Sequence, residues 1–418
     1  MFEYFIHADR VFDGRQVLVD HAVGVESGVI TRVIPAAEIP AGASIERIDG
    51  TLTPGLIDTH VHMTPWMVFG LLAAGVTTVR DLGNDVDTVS AMIADLGDLP
   101  LPAIYWSGPL LESDRVNWPT VARGHDTPDE IRATVDDLAA RGFHTIKLYY
   151  NATPELMAAA ADQAHSHGMR VLGHVGRTSM HEAVAAGVDE LQHLAGCLAH
   201  DLELETWADA ARELAAQPVD HCPTLIVWHT MTHLGEPRAL RDAALEWVHP
   251  QAVEAWANAH HSTQPAAERV RRAKELTERM ASIPYLTEAG RGILVGSDAP
   301  FPGLVPGFAL HDEAGLLVES GMSPHEVMVA MTSGNAHHMG LTEVGVIEAG
   351  ATADLVGFGG DPTVRIADLS RVIRVWRAGD ALDPAALATG ARTAFARDAD
   401  SPVDQLAKLR YIPATATQ

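Results

Sequence analysis

Two histidines one residue apart, His60 and His62, close an apolar run in the stretch TPGLIDTHVHMTPW (residues 53–66). In a strand, residues i and i+2 point to the same face. Both imidazoles would therefore converge on one point beyond the strand's end, which is a metal-ligand arrangement if other ligands arrive from elsewhere. Four more short apolar runs carry such groups: Lys147 in TIKLYY, His174 in RVLGHV, His193 in ELQHL and Asp298 in ILVGSDAP. Imidazole and carboxylate suit zinc, with manganese, cobalt and iron as alternatives. A lysine enclosed by apolar neighbours has a lowered pKa, so its amine is available in the neutral form.

These groups need a scaffold that brings strand ends together. Between residues 54 and 344, short apolar strands alternate with helical stretches, the βα pattern of a parallel sheet. Eight strands are predicted: Leu56–His62, Val76–Leu82, Ala103–Leu110, Thr145–Tyr150, Arg170–Val175, Glu190–Leu194, Pro223–Trp228 and Ile293–Asp298. Helices between them carry their own signals. TPDEIRATVDDLAARG and TPELMAAAADQAHSHG each begin with a Thr N-cap and Pro at the first helical position, and each stops near Gly. Eight such units predict an α/β fold, a (β/α)8 TIM barrel, whose active site lies at the C-terminal strand ends. An open doubly wound sheet is the alternative, but no glycine-rich nucleotide fingerprint follows the first strand.

Alternating strands with glycine turns fill residues 1–53 and return at 345–385, predicting a small β-sandwich domain built from both termini around the barrel of 54–344. Residues 229–290, with Trp247 and Trp256, form a long connection that reads either as a lid or substrate wall or as an oligomer contact. Residues 386–418 read as a tail that packs locally or frays.

Composition narrows the class. The chain has 418 residues, is 47% hydrophobic, and carries 29 basic against 55 acidic residues, a net charge of −26. So acidic a surface argues against nucleic acid and anionic membranes as partners. Cys197 and Cys222 make no disulfide framework, which fits a reducing cytoplasm. The first residues show no signal-peptide pattern, and no 18-residue apolar run suggests a membrane span.

PGLIDTHVH, the lysine of IKL, GHV, QHL and GSDA together resemble the signature of the amidohydrolase superfamily of metal-dependent hydrolases, and GVTTVRDLG (75–83) and GVIEAGATADLVGF (345–358) extend the likeness over most of residues 1–385. The nearest pattern is the dipeptidase-like subgroup, similar to Xaa-Pro dipeptidases and ochratoxin-type amidases. The resemblance implies His60, His62 and Asp298 on one metal, His174 and His193 on a second, and Lys147, carboxylated by carbon dioxide, bridging the two. It also implies that a metal-bridging hydroxide attacks the substrate, with Asp298 moving its proton to the leaving amine. His125, in the RGHD loop, matches a subgroup histidine that contacts the substrate carbonyl. Tyr149, Arg177 and Trp228 are further candidates: a phenol for the carbonyl, a guanidinium for a carboxylate, and an aromatic wall. The subgroup often has a tyrosine directly after the strand-five histidine; Val175-Gly176-Arg177 stands here instead.

The expected function is hydrolysis of an amide-type C–N bond in a small-molecule substrate (a peptide, N-acyl amino acid or aryl amide), in a cytoplasmic homo-oligomer, the oligomer being implied by the family alone. If Lys147 instead snorkels to solvent, a mononuclear deaminase or cyclic-amide or lactone hydrolase follows. A non-catalytic barrel scaffold is the alternative of another class.

Overall fold

The computed structural model describes residues 3–96, 100–233, 242–260 and 265–397. Four strands open the chain, β1 (Tyr4–Phe12), β2 (Val17–Glu26), β3 (Val29–Pro35) and β4 (Ser44–Pro54). Nine follow in the central part: β5 (Leu56–Val61), β6 (Val76–Asp81), β7 (Ala103–Trp106), β8 (Leu110–Ser113), β9 (Ala122–His125), β10 (Thr145–Leu148), β11 (Arg170–Gly173), β12 (Glu190–Gln192) and β13 (Asp220–Cys222). Three close it, β14 (Leu355–Phe358), β15 (Val372–Arg377) and β16 (Asp380–Leu382).

The terminal strands form one seven-stranded sheet in the order β16-β15-β14-β4-β1-β2-β3. Its apolar side chains, among them Ile6, Val23, Ile30, Leu52, Leu355 and Trp376, collect in a single cluster separate from the barrel core. The alternation of the sequence thus serves one continuous sheet drawn from both ends of the chain.

The barrel staves are β5, β6, the pair β7 and β8, then β10, β11, β12 and β13, in parallel pairing. The predicted third strand is two short ones, broken where Gly108 takes φ of 74°; β7 pairs with β6, β8 pairs with β10, and β9 adds to the outer side of β8. The last stave, residues 293–299, closes the ring without regular pairing. Ile293 bridges His221 and Ala299 bridges Val61, and the Asp298 amide donates to His60 O at 2.7 Å. Gly296 is needed there, because a Cβ would lie 2.7 Å from the Cβ of His60 and 2.8 Å from Cys222 Sγ.

The seventh stave corrects the sequence reading. It is Asp220–Cys222, and the apolar run that follows is a helix, Leu225–Thr232. A short buried apolar run has no periodicity that separates strand from helix. The local cause is Thr224, which at φ 43° and ψ 49° turns the chain, while the buried Glu313 carboxyl accepts the Ile226 amide at 2.7 Å and caps the new helix. Burial, opposed by that amide, raises Glu313 to about 8 from 4.5. The folded state thus holds a proton that the unfolded chain releases, so stability is full below pH 4.5 and is lost as pH rises toward 8. Glu313→Gln, which keeps the acceptor and cannot ionise, should gain on the wild type by roughly 2–4 kcal/mol between pH 5 and pH 8, read as the pH dependence of urea unfolding. A constant difference between the two proteins would refute a proton held there.

Other expectations hold. Thr127 and Thr153 cap helices Pro128–Ala140 and Pro154–Ser166 as the Thr-Pro pairs predict. In the long connection, where described, Trp247 and Trp256 are buried, Trp256 lies against Trp66, and helix Ala266–Glu288 packs on helices Trp207–Ala216 and Leu225–Thr232. The start of the expected tail is a helix, Pro384–Arg397, with Leu387, Ala391 and Ala394 buried; residues 398–418 lie outside the described residues. No described helix is long and apolar enough to cross a membrane.

Candidate active site

Five staves deliver the six predicted groups to one end of the barrel. His60 and His62 sit at the end of β5, Lys147 in β10, and His174 and His193 directly after β11 and β12. Asp298 comes from the closing stave. His60 Nε2 and His62 Nε2 lie 3.2 and 3.0 Å from the Asp298 Oδ1 carboxylate oxygen, and one ligand atom from each residue falls within 4.8 Å of the other two. The rings then run in a chain of centroid separations: His62 to His60 5.4 Å, His60 to His193 4.7 Å, His193 to His174 4.6 Å and His174 to Tyr149 4.7 Å.

The backbone is bent to achieve this. Among the described residues, eight non-glycine positions have positive φ, and four of them, His193 (65°), Leu194 (49°), Thr224 (43°) and Asp298 (58°), belong to this site. Such conformations persist only where surrounding contacts impose them. Here the contacts are visible. The His193 carbonyl accepts from Trp228 Nε1 at 2.9 Å and from Arg279 Nε at 3.1 Å, and the Arg279 guanidinium stacks 3.4 Å over the Trp228 ring. Asp58, fully buried, accepts from the amides of His60 and Ser297 and from the Ser297 hydroxyl, tying the β5 end to the closing stave.

Charge is strongly perturbed. Burial, partly offset by Asp298, lowers Lys147 to about 7. Burial and then Lys147 lower His60 to about 4 and His174 to about 3, so these imidazoles are neutral, the ligand form. Burial works to raise Asp298, but any proton carried by His60, His62 or His193 outweighs it and holds the carboxyl well below its usual range.

A metal ion fits this donor set. Three buried nitrogens, His60 Nε2, Lys147 Nζ and His174 Nδ1, have no hydrogen-bond partner; buried polar atoms are ordinarily paired, and a cation is what a neutral nitrogen can pair with. Two other histidine ring nitrogens are occupied. His60 Nδ1 meets Gln192 Oε1 at 2.6 Å and His193 Nδ1 meets Thr224 Oγ1 at 2.6 Å.

The other predicted residues divide. Tyr149 reaches the cluster; its hydroxyl accepts from Trp118 Nε1 at 3.1 Å, and burial raises the phenol so that it stays protonated. Arg177 is exposed in the loop after β11, its amide held by Tyr150 O. Trp228 lies on a helix and serves the His193 carbonyl. His125 is not brought into the cluster: its Nδ1 pairs with Glu112 O at 3.1 Å and its Nε2 with Thr134 Oγ1 at 2.9 Å, so both atoms that a substrate contact would use are engaged. Sequence reasoning missed Gln192, Thr224, Asp58 and Trp118. Only the first two carried a signal, standing beside a ligand or a predicted stave end.

A parallel βα barrel with histidines, lysine and aspartate convergent on its C-terminal rim defines a metal-dependent hydrolase class. The chain belongs to the Amidohydrolase family, whose model matches residues 51–382, and residues 5–52 match the NagA composite domain. Adenine deaminase 3 of Rhizobium johnstonii is 29% identical over 295 residues, 60% of this chain and 47% of that protein. Imidazolonepropionase of Pseudomonas paraeruginosa is 28% identical over 382 residues, 84% of this chain and 90% of that one. The chain thus spans about half the length of that adenine deaminase. In fold it is similar to bottromycin amidohydrolase (TM-score 0.75, 24% identity, 93% of this chain and 90% of that one). It is also similar to a Xaa-Pro dipeptidase (TM-score 0.68, 22% identity, 91% of this chain and all of that one).

Proposed function

We propose that this enzyme is binuclear and hydrolyses an amide-type C–N bond in a small substrate such as a peptide, N-acyl amino acid or aryl amide. One observation carries the reading: the Lys147 amine is buried, unpartnered and lowered to about 7 beside the histidines. A neutral amine adds carbon dioxide, forming an N–C bond and releasing a proton, and the resulting carbamate has two oxygens for two cations. His60, His62 and Asp298 would hold one, His174 and His193 the other. The ions when bound supply an activated water and polarise the substrate carbonyl.

The chain's own groups do the rest. Asp298, ionised and 13% exposed, accepts the proton of the attacking water and returns it to the departing nitrogen. Tyr149 accepts from Trp118, so its own proton is free to be donated to the developing oxyanion. The names of the two sequence relatives favour a second reading, deamination or cyclic-amide hydrolysis, for which we propose a mononuclear site.

Elemental analysis after incubation with zinc and bicarbonate separates the two. About two zinc ions per chain, with turnover of N-acyl amino acids or dipeptides, is expected. About one, indifferent to bicarbonate, with turnover of aminated heterocycles, would establish the mononuclear reading instead.

A further inference from the structure

Beneath the ligand cluster the barrel interior holds a chain of polar groups that the hydrolytic reading does not use. Arg80 of β6 and Glu190 of β12 form a buried pair, with Nη1 to Oε2 at 3.0 Å and Nη2 to Oε1 also in contact. Both side chains are 1% exposed or less. Gln192 Nε2 donates to Glu190 Oε1 at 2.5 Å, and Gln192 Oε1 faces His60 Nδ1 at 2.6 Å.

The direction of each bond follows from chemistry. An amide's oxygen and nitrogen are assigned from their partners. A carboxylate paired with arginine only accepts, so the NH2 of Gln192 must face Glu190, leaving the amide oxygen toward His60. An amide oxygen also only accepts, so His60 must carry its proton on Nδ1. Its Nε2 then holds a lone pair, directed at the Asp298 carboxylate 3.2 Å away with no hydrogen bond between them. Two lone-pair atoms facing each other at that distance are a place for a cation.

Resting on the metal-dependent reading above, we propose that Gln192 is a positioning residue, oriented by the Arg80–Glu190 pair, that fixes the tautomer of His60 and so presents Nε2 to the metal. A neutral amide in this role raises ligand basicity less than a carboxylate would, but it leaves no added negative charge in the barrel. Groups that orient a ligating histidine typically contribute 10- to 100-fold to metal affinity.

Zinc affinity, measured on chelator-stripped protein by competition with a chromophoric chelator, reads this without any substrate. Gln192→Met keeps the volume and removes the acceptor, and should bind zinc roughly 10- to 100-fold more weakly with an unchanged near-ultraviolet circular dichroism spectrum. Equal affinity of Gln192→Met and wild type would overturn the inference alone. A wild type that takes up no zinc would overturn the reading beneath it as well. Nitrogen-15 histidine spectra of the stripped wild type need no variant: a His60 protonated on Nδ1 is expected, and protonation on Nε2 would refute the proposal.

Discussion

Lys147→Met is expected to make the metal-free protein more stable while removing its activity. The wild-type ammonium stem is 1% exposed and its nitrogen meets no partner, so folding must either strand a charge or release a proton. The lowering from 10.5 to about 7 corresponds to roughly 5 kcal/mol, at about 1.4 kcal/mol for each unit. Methionine fills similar volume with nothing to desolvate, so about 2–4 kcal/mol should be recovered in urea unfolding at pH 7 of chelator-treated protein. The sign follows from linkage. A lysine lowered on folding loses stability as pH falls from 10.5 toward 7, so the advantage of methionine is full at pH 7 and shrinks above it. Lys147→Ala removes the same nitrogen but leaves a cavity, and should recover much less. In the metal-loaded state the order reverses. On the proposed binuclear reading, loss of the carbamate should drop zinc content from about two to one per chain and amide turnover by roughly 10³-fold, the scale of one preorganised electrostatic group. A methionine variant that keeps two zinc ions, or one less stable than wild type when stripped, would contradict this account.

That a lysine so placed could be picked out without coordinates has a simple basis. A strand's period of two and a barrel's parallel staves mean that any polar residue at the C-terminal end of an apolar run arrives at one rim. His60, His62, Lys147, His174, His193 and Asp298 all obey that rule. The helix caps at Thr127 and Thr153 were equally readable, because a cap is decided by residues three apart. What could not be read is decided by distant partners. Pro223–Trp228 has the composition of a strand, and only Glu313, 87 residues beyond Ile226, caps it as a helix. His125 has the right sequence neighbours, but it ends strand β9, and Thr134 and the Glu112 carbonyl take both its nitrogens. Trp228 reaches the site's frame rather than its mouth, through a backbone oxygen that no side-chain pattern announces.

The same dependence on distant partners makes Arg80 a sensitive position for folding. Arg80→Met leaves Glu190, which is 0% exposed, with Gln192 as its remaining side-chain hydrogen-bond donor. Breaking one side of a buried ion pair strands the other charge and should cost about 3–5 kcal/mol, seen as a fall in the urea midpoint. The Thr59 carbonyl, which accepts from Arg80 Nε at 2.9 Å beside His60, loses its donor at the same time. Arg80→Met combined with Glu190→Leu removes both charges, and buried pairs replaced by apolar groups of similar volume are close to neutral; most of the stability should return. Zinc affinity should not return with it. Without Glu190 nothing dictates which end of the Gln192 amide faces His60, so the ligand tautomer is no longer imposed. A double variant that regains both stability and wild-type zinc affinity would show that the pair serves only the fold. Stability regained without affinity would show that the buried charges are kept for the metal site, against an energetic preference for an apolar barrel floor.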